Sequence, residues 1–122
     1  MNAIEIRIVP HCQQRYETCG DWVYGLKHLA IKVSDLGDER MNACLAVHEL
    51  VEALLCRAAG IKQEAVDAFD IWYGSEYPDG EPGDHPSAPY RKQHFIATTI
   101  ERIFAEAIGV DWNEYDKAIN AL

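Results

Sequence analysis

Residues 29–60 read "LAIKVSDLGDERMNACLAVHELVEALLCRAAG", and within this stretch the hydrophobic period changes. Leu29, Ile31 and Val33 alternate with Ala30 and Lys32, which places the three branched residues on one face of a strand. "SDLGDER" then supplies turn and N-cap chemistry, with acidic side chains suited to the positive end of a helix dipole. Beyond it the pattern predicts a long helix from about Glu39 to Ala59, with Gly60 placed as its C′ residue.

Upstream, "AIEIRIV" alternates Ile4, Ile6 and Ile8 with polar partners, a second strand signal that Pro10 ends. Residues 10–20, "PHCQQRYETCG", have no clear period and read as a connection. "DWVYG" and "LKHLAIKVS" predict two further strands, with Gly25 near the turn of a hairpin. Downstream, a second helix is expected at about Lys62 to Tyr73, followed by the acidic, Gly- and Pro-rich loop "GSEYPDGEPGDHPSAP". Loops of that length in a small domain are often functional. A third helix should run from about Tyr90 to Ile108 and end near Gly109. Asp111 and Glu114 then open a short last helix with a D-x-x-E variant of the capping box. Strands come first and helices after. The expectation is therefore an α+β fold: a small N-terminal β-sheet of three strands, a long motif helix and two to three further helices.

The chain has 122 residues, enough for a single domain spanning 1–122 and too few for two. Its net charge of −9, with no basic cluster, disfavours nucleic acid and anionic membrane as partners. No apolar run approaches the ~20 residues that cross a bilayer, and "MNAIEIRIVP" lacks the layout of a signal peptide. A reducing cytoplasm is the expected setting, so Cys12, Cys19, Cys44 and Cys56 should be thiols. No C-x-x-C spacing suggests a zinc ribbon.

The long helix carries unusual chemistry in "LAVHELVEALLC", residues 45–56. On a helix, positions four apart lie one above the other, so His48 and Glu52 point the same way with Glu49 beside them. This is the geometry of the H-E-x-x-H zinc helix, in which two ligands clamp the ion and the adjacent Glu takes a proton from water. Here Glu52 replaces the second His, giving H-E-L-V-E. A carboxylate lowers the positive charge of such a site and weakens its discrimination against Mn and Fe in favour of zinc. The plainer alternative is a solvent face, or carboxylates satisfied by Arg57, Lys27 or a hydroxyl. Leu45, Val47, Leu50, Val51, Leu54 and Leu55 leave little room for a solvent face.

A third ligand must come from elsewhere, and the candidates are Asp70, His85, His94 and Glu101. In the third helix His94, Ala97, Glu101, Phe104 and Ile108 share one stripe, which favours His94. His85, between Asp84 and Pro86, is better suited to gating. Tyr90 or His85 is a candidate hydrogen-bond donor to an oxyanion if the loop closes. Cys44 lies one turn before His48 and could approach the same ion, which would suggest a structural site. His11, Cys12 and Cys19 have no spacing that argues for another.

A small sheet followed by this helix resembles the minimal zincin arrangement of metallopeptidases over residues 4–59, with "HELVE" as the shared motif. The whole chain also resembles a group of short phage and prophage proteins, in "VHELVEALLCRAAGI", "VDAFD" and "EPGDHPSAPYRKQH". The zincin resemblance implies His48 and Glu52 as metal ligands, Glu49 as general base and a peptide or amide substrate. The phage resemblance implies a host cytoplasm. A second comparison is with all-α nucleotide pyrophosphatases of the MazG type, which hold Mg²⁺ through E-x-x-E and E-x-x-D; here Glu49, Glu52, Asp67 and Asp70 would correspond. A third reading is non-enzymatic: a protein that binds a host protein partner, the His and carboxylates forming a structural metal clip.

Overall fold

In the computed structural model, which describes residues 1–122, Leu29, Ile31 and Val33 lie on the middle strand of a three-stranded sheet. The strands are β1 (Ala3–Val9), β2 (Gly20–Tyr24) and β3 (His28–Ser34), in the order β1-β3-β2. β2 and β3 form the expected antiparallel hairpin, closed by Gly25 N–H donating to His28 C=O. β1 runs parallel to β3, so the connection from β1 crosses to the far edge before the chain returns through the middle. The strand signals alone carried no information on that order.

Leu29, Ile31 and Val33 are sealed from solvent beneath helix α1 (Glu39–Ala58). Each such burial is worth about 1.5–3 kcal/mol. Asp38 caps α1, its side chain accepting from the Arg40 and Met41 N–H groups. Asn42 closes the turn before it, accepting from Leu36 N–H and donating to Asp35.

α2 (Gln63–Glu76) runs three residues past the expected end, because Phe69, Trp72, Tyr73, Tyr77 and His85 stack into one aromatic cluster that holds the last turn. α3 (Arg91–Ala107) packs along α1, and α4 (Trp112–Asn120) closes the end of the site, capped by Asp111. No helix is long and apolar enough to cross a membrane.

The inner face of α1 departs from the usual pattern. Its buried residues are Asn42, Cys44, Leu45, His48, Glu49, Glu52, Ala53 and Cys56, while Val47, Val51 and Leu54 are partly or well exposed. The helix turns His48, Glu49 and Glu52 inward beside Leu45 and Ala53 while Val47, Val51 and Leu54 lie further out, so those three ionisable groups must find compensation inside the fold.

Candidate metal centre

Four elements build that compensation. α1 presents His48 and Glu52 one turn apart, and α3 presents His94 from the facing helix. Glu52 Oε2 lies between the imidazoles, 3.2 Å from His48 Nε2 and 2.8 Å from His94 Nδ1. β2 contributes Trp22, whose indole N–H donates to Glu52 Oε1 at 3.1 Å. His48 Nδ1 meets Glu101 Oε1 at 2.8 Å, and Tyr115 from α4 donates to the other Glu101 oxygen. All six residues are buried. Arg57 and Lys27 take no part: Arg57 lies over the Tyr24 ring and Lys27 is exposed.

One ligand atom each from His48, Glu52 and His94 can be chosen so that all lie within 4.8 Å of one another. Ligand atoms in a tetrahedral site with bonds of about 2.0–2.2 Å stand roughly 3.3 Å apart. This group could therefore hold a metal ion after a small side-chain adjustment. The donor chemistry agrees. Glu101 orients the distal nitrogen of His48 as a carboxylate partner does for a metal-bound imidazole, and Tyr115 in turn fixes Glu101. No Lys or Arg is hydrogen-bonded to the cluster to balance Glu49, Glu52 and Glu101.

Glu49 stands beside the trio, buried, and none of the cluster's hydrogen bonds ends on it. Room for it comes from Gly20 on β2: a Cβ there would fall 2.4 Å from Glu49 Oε1. Gly83 does the same for His94, since its Cβ would lie 2.3 Å from the imidazole ring. The short turn Pro82–Asp84 thus lets the acidic loop fold down onto His94, with Asp84 3.5 Å from His94 Nε2.

Protonation follows from these contacts. Burial opposes charge on His48, but hydrogen bonds to Glu101 and Glu52 outweigh it and hold the imidazole well above its ordinary range. His94 is raised too, burial being overcome by Glu52 and the field of Glu81. Burial would raise Glu52, yet the two imidazoles pull its carboxyl down to about 2. Burial and the charge of Glu52 push Glu49 well above the carboxylate range. Glu52 is thereby held ionised while Glu49 is pushed towards its protonated form, the separation expected of a site that divides ligand and acid–base roles.

The cluster opens into a cavity of about 760 Å³. Its walls carry Asp21, Asp67, Asp70, Asp79, Glu81, Asp84 and Asp116 besides Glu49, Glu52 and Glu101, against a single basic side chain, Arg102, apart from the histidines. Arg102 is already stacked on Trp112.

Of the candidate third ligands, His94 joins His48 and Glu52. Glu101 stands behind His48 as its hydrogen-bond partner. Asp70 lies elsewhere on the cavity wall, accepting from Tyr16 and Tyr90, with burial raising its carboxyl to about 7. His85 sits in the aromatic cluster of α2 and bonds Ser87 N–H. Tyr90 lines the cavity, but its hydroxyl is engaged by Asp70. Cys44 is a buried thiol outside the trio, raised to about 11 by burial, and all four cysteines are free. His11 binds Ser34 and Glu17, with no metal-like grouping around Cys12 and Cys19. The roles of Trp22, Tyr115, Gly20 and Gly83 at the site are not readable from the sequence; only their three-dimensional neighbours reveal them. Comparison with protein-family models, curated proteins and solved structures finds no match.

Proposed function

We propose that this chain is a metal-dependent hydrolase of zincin-like design, cleaving an amide or peptide bond in a neutral or cationic substrate. The observation that carries the reading is the buried His48–Glu52–His94 group with Glu49 alongside, facing the cavity and free of protein hydrogen bonds. Two imidazoles and one carboxylate suit zinc, with Mn²⁺ or Fe²⁺ as the nearest alternatives. A divalent ion held there supplies Lewis-acid polarisation of the scissile carbonyl and acidifies water.

The protein's own groups do the rest. The Glu49 carboxyl, raised in the metal-free protein, would be drawn to its ionised form by a cation bound beside it, and in that form it takes a proton from the attacking water as the new C–O bond forms. It hands that proton to the departing amine nitrogen as the C–N bond breaks, which returns Glu49 to its starting state. Trp22 and Glu101 hold Glu52 and His48 in place through the cycle. The acidic walls of the cavity attract a cationic side chain or terminus and repel anions.

The test is cleavage of a mixed peptide library, read by mass spectrometry, with zinc-loaded wild type and Glu49→Gln. Cleavage by wild type, lost in Glu49→Gln while the metal content is unchanged, supports the reading. A loaded wild-type protein that cleaves nothing would leave a structural metal clip, as in a partner-binding protein.

The MazG-type reading has one observation in its favour, since Glu49, Glu52, Asp67 and Asp70 line the same cavity. Against it, Arg15 holds Asp67 and two tyrosines hold Asp70, and a sheet stands where that family is all helical. Release of pyrophosphate from nucleotides with Mg²⁺ would favour it.

A further inference from the structure

Strand β1 carries an apolar stripe that nothing in the chain covers. Its pairing sets Ile4 beside Leu29, Ile6 beside Ile31 and Ile8 beside Val33, on the face that α1 covers. The three β3 residues are sealed, yet Ile4, Ile6 and Ile8 are 49%, 41% and 47% exposed. The reason is positional: α1 packs over β2 and β3 and leaves β1 bare. β1 is also a sheet edge, seven residues long, in continuous register and without an internal Pro. An edge of that kind pairs with another strand unless something blunts it.

The charges identify the partner. In Ala3-Ile4-Glu5-Ile6-Arg7-Ile8-Val9, Glu5 and Arg7 flank Ile6 symmetrically. Laid antiparallel against a second copy of itself about Ile6, the strand sets Ile4 opposite Ile8, Ile6 opposite Ile6, and Glu5 opposite Arg7 on both sides. A shift of two residues either way opposes Glu5 to Glu5 or Arg7 to Arg7. A shift of one sets charges against isoleucines. In-register parallel pairing opposes like charges throughout. Parallel pairing staggered by two residues makes one Glu5–Arg7 pair but cannot close about a two-fold axis, so among two-fold arrangements only one register is complementary.

We infer that β1 is the docking edge for a second copy of this chain, giving a continuous six-stranded sheet, β2-β3-β1-β1-β3-β2, about a two-fold axis at Ile6. Such an interface is closed, because each copy uses the same edge and leaves none of it free. The six isoleucines of the two copies then form one stripe between the two α1 helices. No residue of β1 lines the metal-centre cavity, so the inference stands apart from the proposed activity.

Sedimentation velocity on the full chain tests it, with wild type, Glu5→Arg, Arg7→Glu, and the swap carrying both changes. Wild type and swap should sediment at twice the 13.8 kDa of one chain. Each single variant should be monomeric, with the far-ultraviolet circular dichroism of wild type, because both side chains are more than half exposed. An equal mixture of the two singles should recover a dimer, since one strand then carries two guanidinium groups and the strand facing it two carboxylates. Ile6→Lys, which opposes two ammonium groups at the axis, should be monomeric as well. A monomeric wild type, single variants that still dimerise, a mixture that stays monomeric, or a dimeric Ile6→Lys would each overturn the inference.

Discussion

Replacing Tyr115 by Phe removes one oxygen from a fully buried ring and leaves the packing surface intact. That oxygen donates to Glu101 Oε2, the far end of the chain that runs through Glu101 Oε1 to His48 Nδ1. A hydrogen bond to a charged group contributes about 1.5–3 kcal/mol, and its loss here strands a buried carboxylate oxygen. For a chain of this size about 1 kcal/mol moves Tm by about 4 °C, so the metal-free variant should melt about 6–12 °C below wild type. A loosened Glu101 also stops fixing His48, and losing such an outer partner typically weakens metal binding about 10–100-fold. Urea denaturation of metal-free protein and competitive zinc titration read the two effects separately. Tyr24→Phe is the control: its hydroxyl donates to a neutral carbonyl, Ala53 C=O, for which about 0.5–1.5 kcal/mol is expected. A Tyr115→Phe protein with wild-type stability and wild-type zinc affinity would refute the idea that Glu101 acts as the anchor of His48.

Four further outcomes follow from the same contacts. Gly20→Ala drives a methyl group into the Glu49 carboxyl and should cost about 1–3 kcal/mol by overpacking; Glu49→Ala in that background should recover stability, a non-additivity that a double-mutant cycle measures. Because the Glu49 carboxyl is held above its ordinary range, the folded metal-free protein keeps a proton that the unfolded chain releases above about pH 4.3, so stability falls as pH rises from there. Glu49→Gln should therefore be the more stable protein at pH 8 in denaturant titrations, with the gap closing toward pH 4. Glu52, held at about 2, has the opposite sign: its contribution is complete above about pH 4.3 and is lost as pH falls towards 2, a limb that Glu52→Gln should lack. Both imidazoles are held above their usual range, so metal must displace protons; binding should tighten as pH rises, with proton release visible by calorimetry in buffers of different ionisation enthalpy.

Local chemistry made most of the elements legible. Asp38 and Asp111 cap the helices where their side chains suggested, and the change of period after Val33 separates sheet from helix. The H-E-x-x-E spacing and the α3 stripe placed His48, Glu52 and His94 on inward faces, because helical periodicity fixes which residues share a side. The order of the sheet was not legible, since alternation says that a residue lies in a strand and not which strand lies beside it. Gly20, Gly83, Trp22 and Tyr115 were invisible for a related reason. Each acts by proximity to a residue distant in sequence, and a glycine that clears space for a carboxylate looks like any loop glycine. Glu101 was read as a candidate ligand; its distance to His48 Nδ1 makes it the imidazole's orienting partner.

On the proposed function, the groups buried on the inner face of α1 exist to hold an ion. Elemental analysis of untagged protein purified without chelator, alongside His48→Ala and His94→Ala, tests it most directly. About one equivalent of Zn, Mn or Fe per chain is expected in wild type, lost in both variants while their fold is kept. Wild-type protein that holds no metal, even after reconstitution with Zn²⁺, would contradict it.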